Sequence, residues 1–239
     1  MDGRFSGKVV LVSGGTGGLG RAVSLAFLEE GAKVVVTYRD QNEFDAVKRG
    51  VGVNTSSLQG HQVDVTHEAA VDQFVHRILA EYGRLDVVVN TVGGYAGGVK
   101  LWELDPKVFD QMLALNLRSG YAISRAVVPV MLRQKRGAII NVASRAAFDH
   151  AGGAAAYAAS KAAAVAMMDS LAADLAGSGV RVNSILPSII DTEANRKAMP
   201  NADFAQWPKP EEIASVILFL CSDDAEVVHG AAVPVYGKS

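Results

Sequence analysis

Residues 13–20 read Ser13-Gly14-Gly15-Thr16-Gly17-Gly18-Leu19-Gly20 and stand between a short apolar run and a segment with helical spacing. The five glycines permit a tight turn and let backbone N–H groups approach a bound anion closely. The first turn of the following helix adds unpaired N–H donors and a partial positive charge. A glycine-rich loop alone is also typical of a flexible turn that binds nothing, but the strand–turn–helix context predicts a dinucleotide-binding site. The residues predicted to cradle the pyrophosphate are Gly14, Thr16, Gly17, Gly18, Leu19 and Gly20.

The rest of the chain alternates between short apolar runs and longer segments with helical spacing. Near-continuous apolar runs are typical of strands buried on both faces, and their alternation with helices predicts a parallel sheet with right-handed crossovers. We therefore predict an α/β fold, a single-domain Rossmann fold over 1–239 whose doubly wound parallel sheet of about seven strands carries helices on both faces. The predicted strands are 8–13, 33–38, 61–65, 86–90, 138–143, 181–186 and 231–235, and the predicted helices are 19–30, 68–82, 106–134, 154–176 and 211–221.

Composition excludes several classes of protein. With 49% hydrophobic residues the 239-residue chain is not a disordered one, and its single cysteine, Cys221, cannot form an internal disulfide. A formal charge of −2 without a basic stripe predicts no nucleic-acid partner. We expect no membrane span or secretory signal, because no apolar run is long enough, and therefore a cytoplasmic protein. The five histidines lack metal-ligand spacing, so no metal site is expected.

The end of the second predicted strand bears on the choice of dinucleotide. An acidic residue roughly 20 positions after the glycine loop holds a ribose 2′-OH, whereas an arginine there suits a 2′-phosphate. Here Tyr38 takes the place of the acid, followed by Arg39 and Asp40. We predict that NADP(H) is preferred over NAD(H), with Arg39 at the phosphate, and a solvated surface arginine is the alternative.

Tyr157 and Lys161 lie four residues apart, on one face of a predicted helix. A lysine cation near a phenol favours the phenolate and lowers the pKa of the tyrosine, although such pairs also arise by chance. Ser144 precedes Tyr157 by 13 residues and closes the fifth predicted strand. Catalytic groups gather at the carboxyl ends of strands in a doubly wound sheet, where Asn90 would lie as well. We therefore predict that these side chains belong to one site at the carboxyl edge of the sheet.

With these motifs in this order, the chain resembles the short-chain dehydrogenase/reductase family over nearly its whole length. The resemblance implies a catalytic set of four residues. Asn116 would order a water and help to hold Lys161, and Ser144 would polarise the substrate oxygen. Tyr157 would pass a proton to or from that oxygen, while Lys161 would lower the pKa of the tyrosine and bind the nicotinamide ribose.

The same resemblance implies further contacts to the dinucleotide. Asp64 and Val65 would lie at the adenine, Asn90 and Gly93 would match the family's Asn-Asn-Ala-Gly motif, and the segment from Pro187 through Ile190 to Thr192 would wrap the nicotinamide. Two motifs depart from the family pattern, since Thr91-Val92 replaces Asn-Ala and Ser188 replaces a glycine. We expect the irregular stretch 188–209 to be a substrate lid.

The resemblance implies an NAD(P)(H)-dependent oxidoreductase that transfers a hydride between nicotinamide and a small-molecule carbonyl or alcohol, in the reductive direction. It also implies a homotetramer, with a dimer as the second choice, built on the helices predicted at 106–134 and 154–176. Two alternatives stay open: a quinonoid dihydropteridine reductase-like activity, because 92–98 and 186–207 resemble that branch, and a non-catalytic dinucleotide-binding regulator. Retention of Ser144 and Asn116 favours carbonyl chemistry.

Four aromatic residues are candidate pocket walls, and Arg145 is expected to form an ion pair rather than bind substrate. The aromatic residues are Tyr95, Trp102, Phe204 and Trp207.

Overall fold

Seven strands form one parallel sheet in the computed structural model of the chain, which describes residues 3–238 except for the side chains of 52–54. Residues 1, 2 and 239 of the predicted domain lie outside the described residues. The strand order is β3-β2-β1-β4-β5-β6-β7, so the predicted doubly wound Rossmann architecture is confirmed. The strands are β1 (Val9–Ser13), β2 (Lys33–Tyr38), β3 (Leu58–Gln62), β4 (Val87–Asn90), β5 (Gly137–Val142), β6 (Val180–Pro187) and β7 (Ala232–Val235).

Helices cover both faces of the sheet. They are α1 (Gly18–Glu29), α2 (Gln41–Val51), α3 (Glu68–Tyr82), α4 (Pro106–Leu113), α5 (Ser119–Gln134), α6 (Ala155–Asp174), α7 (Glu193–Ala198) and α8 (Pro210–Cys221). None of these helices, within residues 3–238, combines the length and the apolar character needed to cross a bilayer.

Alternate residues of each buried strand feed two separate cores. On one face Val12 and Ile140 pack with Phe27 of α1 and Ile217 of α8. On the other face Leu11, Val88 and Ile139 pack with side chains of α3, α5 and α6, among them Phe74, Ile123 and Met168. Burying each such side chain contributes about 1.5–3 kcal/mol, so both faces of the sheet hold the strand ends rigidly in place.

Several elements differ from the sequence prediction. The third strand is Leu58–Gln62 rather than 61–65, because Val34 of β2 pairs with Leu58, and the chain turns at Asp64. Helix α2 was not predicted, since only Phe44 and Val47 of its 11 residues are buried. The helix predicted at 106–134 is interrupted by a π-helical turn at Ala114–Arg118.

The stretch 188–209 is less irregular than predicted, because it contains α7. The Thr192 side chain caps this helix by accepting a hydrogen bond from the Asn195 N–H, and a bidentate pair joins Arg196 to Asp191. The predicted start of α4 is confirmed: the Asp105 carboxylate accepts the Lys107 N–H, with Pro106 in the first turn.

A buried carboxylate fixes the amino-terminal edge of the sheet and provides a stability test. Asp86 accepts the Val9 N–H at 2.9 Å and pairs with Arg84, and only 7% of its side chain is exposed. We expect Asp86→Ala to lower the free energy of unfolding by about 2–4 kcal/mol, because it orphans a buried N–H and an arginine. Denaturant titration measures the change. The matched control is Asp223→Ala, which removes a far more exposed partner of Arg136 and should cost less than about 1 kcal/mol; equal losses in the two variants would contradict the assignment.

Candidate functional site

A row of polar side chains crosses the carboxyl ends of three central strands. Ser13, Asn90 and Asn141 are in register on β1, β4 and β5. The Ser13 hydroxyl donates to Asn90 Oδ1 at 2.6 Å, and Asn90 Nδ2 donates to Asn141 Oδ1 at 3.1 Å. Because Asn90 is buried and its amide is engaged inside the sheet, its side chain ties strand ends together rather than lying open to a ligand.

The glycine loop is packed so tightly that an added Cβ would clash at several of its glycines. Gly14 has a positive φ of 71°, and its N–H donates to the Thr37 hydroxyl at 2.9 Å. A Cβ at Gly20 would collide with the Gly14 carbonyl oxygen. A Cβ at Gly18 would lie 2.7 Å from the Thr192 methyl group, so the segment after β6 closes onto the loop.

The first turn of α1 is open to an anion. Gly17 is its N-cap and provides no side-chain hydrogen bond, and the first turn contains no acidic residue. Leu19 turns inward and is buried against α8 and the sheet, so it anchors the helix start. Unpaired N–H groups beside a cradle that a Cβ would fill fit a pyrophosphate, and the predicted loop residues Gly14, Thr16, Gly17, Gly18 and Leu19 lie together here with Gly20.

Arg39 lies at the carboxyl end of β2, next to the loop. It is exposed, and within residues 3–238 its guanidinium forms no ion pair. The neighbouring Tyr38 ring stacks on Phe44 of α2, with centroids 5.0 Å apart and 6° between the planes. Glu43, which sequence reasoning missed together with α2, accepts a hydrogen bond from the Thr16 hydroxyl at 2.8 Å.

Asp64 and Val65 follow β3 at the same edge of the sheet. The Asp64 carboxylate is exposed and accepts the hydroxyl and N–H of Thr66 at 2.7 and 2.9 Å. The hydroxyl hydrogen bond is the main reason that the pKa of Asp64 lies below its usual value. Val65 is buried in the core beneath α3, so only its backbone reaches the edge.

Ser144 and Tyr157 meet as predicted. Ser144 follows β5, and its hydroxyl oxygen accepts the Ala146 N–H at 3.1 Å, which orients the side chain. A hydrogen bond joins the hydroxyls of Ser144 and Tyr157. Burial raises the pKa of Tyr157 above its ordinary value of 10.0, and the Ser144 hydrogen bond only partly opposes this rise. In the protein without ligand the phenol is therefore held protonated, opposite to the lowered pKa that the spacing to Lys161 suggested.

Lys161 is one turn from Tyr157 on α6 and is buried. Its ammonium donates to the Val142 carbonyl at 3.0 Å, and no carboxylate in residues 3–238 pairs with it. Burial lowers its pKa to about 8. A Cβ at Gly93 would lie 3.1 Å from the lysine nitrogen, so any larger residue there would crowd the ammonium. An ammonium has three donors, and those left over suit oxygen atoms of a ligand such as ribose hydroxyls.

Asn116 lies in the π-helical turn between α4 and α5 and is almost completely buried. Its Oδ1 accepts the Gly94 N–H at 2.9 Å, while its Nδ2 donates to the Gly94 carbonyl at 3.0 Å and to the Ser160 hydroxyl at 3.0 Å. The amide thus clamps the loop after β4 to the helix that carries Tyr157 and Lys161. Single π turns of this kind are frequent at functional sites.

Tyr95 is the aromatic side chain of that loop that reaches the catalytic group. Its ring meets the Tyr157 ring edge to face, with centroids 5.0 Å apart and 76° between planes, and 69% of the residue is exposed. The Tyr95 hydroxyl folds against Gly97, where a Cβ would collide with it. Among the four predicted pocket walls, Tyr95 is the one in contact with Tyr157, whereas Phe204 and Trp207 pack on each other.

The segment after β6 frames the other side of the site. Pro187 ends β6, Ile190 packs partly buried on the core beside α1 and α8, and Thr192 touches Gly18. The Ser188 hydroxyl donates to the Tyr236 carbonyl at 2.8 Å, which ties this segment to the end of the chain. Arg145 forms the expected ion pair, with Asp149, and lies over the Tyr236 ring.

The assembled edge offers an anion cradle, a protonated phenol, a polarising hydroxyl and a buried cation. Within the described part of the chain, no group of three or more histidine, cysteine or acidic residues could hold a metal ion. These groups suit proton transfer to or from an oxygen atom beside a bound dinucleotide.

Comparison with known proteins relates the chain to a family of dehydrogenases. The profile of short chain dehydrogenases matches residues 8–203. The chain is 31% identical to the 3-oxoacyl-(acyl-carrier-protein) reductase of Thermotoga maritima over 98% of both proteins. It is 34% identical to the D-threitol dehydrogenase of Mycolicibacterium smegmatis, over 99% of this chain and 94% of that protein.

Two solved structures are similar over nearly their whole length. ElxO with NADP bound has a TM-score of 0.91 at 26% identity, covering 96% of this chain and 97% of its own. NAD+-bound xylitol dehydrogenase has a TM-score of 0.90 at 27% identity, covering 98% of this chain and 99% of its own.

The space above the Lys161 ammonium can be tested with Gly93→Ala. The added methyl group would press on the lysine nitrogen and on Asn116 Oδ1, which lies 2.9 Å from the Cβ position. We expect the free energy of unfolding to fall by about 1–3 kcal/mol, measured by denaturant titration. Gly152→Ala, whose Cβ would meet nothing within 4 Å, is the control and should change stability little. Equal stability of Gly93→Ala and the unmodified protein would show that the ammonium is not confined there.

Proposed function

Because the chain belongs to the short-chain dehydrogenase family, we propose that it reduces a small-molecule carbonyl group to an alcohol with a nicotinamide cofactor. It is an NAD(P)-dependent oxidoreductase acting on C=O and CH–OH groups. The observation that carries the proposal is the pairing of Ser144 with Tyr157 one helical turn from the buried ammonium of Lys161.

The proposed chemistry divides between cofactor and protein. The chemistry that a dihydronicotinamide would supply when bound is a hydride for the carbonyl carbon. The Ser144 hydroxyl donates a hydrogen bond to the carbonyl oxygen and stabilises the negative charge that develops on it. Tyr157 delivers its proton to the same oxygen, which gives the alcohol and leaves a phenolate. The Lys161 cation stabilises that phenolate, because opposite charge nearby favours the ionised form.

Asn116 acts in this proposal by position. Its clamp on Gly94 and Ser160 holds the loop after β4 at a fixed distance from α6, where Tyr157 and Lys161 project. Tyr95 is held by the same loop and forms one wall of the substrate pocket. The segment 188–209 is the proposed lid, supported by its contacts with the glycine loop through Thr192.

The residues proposed to hold the cofactor lie along the carboxyl edge of the sheet. Backbone N–H groups of the glycine loop would bind the pyrophosphate, and Lys161 would bind the nicotinamide ribose. Preference for NADP(H) over NAD(H) is supported by the exposed Arg39, which has no competing carboxylate in the described part of the chain. The proposed set is Gly14, Thr16, Gly17, Gly18, Leu19, Gly20, Arg39, Asp64, Val65, Asn90, Gly93, Tyr157, Lys161, Pro187, Ile190 and Thr192, in which the buried Val65 and Asn90 would contribute backbone atoms.

The two alternatives fit less well. A pterin reductase that lacks the serine and the helix asparagine would not need the Ser144–Tyr157 hydrogen bond or the Asn116 clamp, and this chain has both. A non-catalytic regulator would not need the buried ammonium of Lys161 one helical turn from the phenol of Tyr157. The relatives described above are named as a reductase and a dehydrogenase of oxygen-bearing carbons, which also favours the enzyme.

A homotetramer is the proposed assembly, with a dimer as the alternative. An apolar groove of about 840 Å³ runs between α4–α5 and α6 and would receive a second copy of the chain. Sedimentation equilibrium distinguishes the two states. The groove is lined chiefly by Leu113, Leu117, Tyr121 and Met167. The cytoplasmic location stays a prediction from the sequence.

Substitution of Tyr157 by phenylalanine tests the activity. The variant keeps the ring that packs on Tyr95 but has no proton to give, so we expect turnover of NADPH with a panel of ketones, diketones and quinones to fall by about 10²–10⁴-fold. Absorbance of the reduced nicotinamide measures turnover, and its fluorescence measures cofactor binding, which should persist. Tyr95→Phe, which keeps both rings, is the control and should retain most of the activity. Turnover that does not depend on Tyr157 would refute the proposal.

A further inference from the structure

A carboxylate is held against the glycine loop by α2. The Thr16 hydroxyl donates to Glu43 Oε2 at 2.8 Å, which bridges the loop to the first turn of that helix. The position of the helix is fixed next to this contact, because the buried Phe44 stacks on Tyr38 at the end of β2. Glu43 is therefore presented to the loop by a packed neighbour rather than by a freely moving segment.

Two side chains of opposite charge border this corner, and neither has an ion-pair partner in the described part of the chain. Arg39 and Glu43 are both exposed, and within residues 3–238 neither forms an ion pair. The nearby Asp40 is engaged locally, since its carboxylate accepts the Asn42 N–H at 2.8 Å. Asp45, farther along α2, accepts a hydrogen bond from the Gln41 side chain at 2.9 Å. Arg39 and Glu43 are thus two opposite charges near the point where a ligand would reach the loop from the end of β2.

We propose that Glu43 is a cofactor-selecting residue whose effect opposes that of Arg39. Its carboxylate, which accepts a hydrogen bond from Thr16, disfavours a ribose 2′-phosphate. Glu43 therefore makes the preference for NADP(H) over NAD(H) smaller than it would be with Arg39 alone. The inference rests on the proposed function, because it requires the adenosine ribose to lie where the glycine loop meets the end of β2.

The charge of Glu43 and its hydrogen bond with Thr16 both disfavour a bound 2′-phosphate. A phosphate monoester carries a charge of about −1.5 to −2 at neutral pH, so a carboxylate a few ångströms away repels it. Glu43 also occupies the Thr16 hydroxyl, which would otherwise be free to donate to a phosphate oxygen. A ribose 2′-OH carries no charge and can itself donate to a carboxylate, so NAD(H) does not suffer the same loss.

The test is direct binding of NADPH and NADH, followed by nicotinamide fluorescence, to the whole chain and to Glu43→Gln. Glutamine keeps an oxygen that accepts from Thr16 and removes only the charge. We expect affinity for NADPH to rise about tenfold and affinity for NADH to change less than about twofold. The gain should shrink at high salt, because exposed charges are screened. Arg39→Gln should move the ratio of the two affinities in the opposite direction.

Asp45→Asn is the matched control, since it removes the same charge from the same helix away from the loop. Equal gains for Asp45→Asn and Glu43→Gln, or equal changes in NADPH and NADH binding by Glu43→Gln, would overturn the assignment. Failure of the unmodified protein to bind either cofactor would instead refute the proposed function, so the two failures are distinguishable.

Discussion

The buried ammonium of Lys161 constrains the residues that surround it in the site. It has one hydrogen-bond acceptor, the Val142 carbonyl, and no carboxylate partner in residues 3–238, so burial lowers its pKa from 10.5 to about 8. A shift of this size corresponds to about 3 kcal/mol that the folded protein loses by keeping the charge out of water. Gly93, which has no side chain, leaves space beside the Lys161 nitrogen, and Asn116 holds the adjoining loop at Gly94. The site therefore retains an arrangement that lowers stability, which is typical of functional positions rather than of structural ion pairs.

The rest of the site consists of two parts. The hydrogen-bonded strand ends form a rigid half, and the loop of Tyr95 with the segment after Pro187 forms a more exposed half. Hydrogen-bonded side chains of Ser13, Asn90 and Asn141 tie together the strand ends that carry the glycine loop and Ser144. Tyr157 lies between the halves, bonded to Ser144 on one side and packed against the largely exposed Tyr95 on the other. The rigid half places the groups that handle charge, and the exposed half, with the segment after Pro187, is where substrates of different shape would be distinguished.

The sequence predicted the central strands well, because buried parallel strands are near-continuous apolar runs. The candidate site residues lie along one edge because the carboxyl ends of parallel strands share it. It misplaced β3, whose only buried residue is Leu58, since the more apolar 61–65 resembles a strand better. Helix α2 carries too few buried residues to be recognised, and the contact of Glu43 with Thr16 was missed with it. The four-residue spacing predicted that Tyr157 and Lys161 lie close together. The direction in which the pKa of Tyr157 shifts depends on burial, and sequence spacing does not encode burial.

The pH dependence of stability tests the role of Lys161 most directly. Between pH 8 and 10.5 the unfolded chain binds a proton that the folded chain lacks at Lys161, so this residue makes the free energy of unfolding rise with pH over that window. Lys161→Met removes the buried charge and keeps an unbranched side chain. We expect the variant to be more stable than the unmodified protein by about 1–3 kcal/mol at pH 7, with the difference vanishing near pH 10.5. A variant that is less stable at pH 7, or a difference that does not change with pH, would contradict this account.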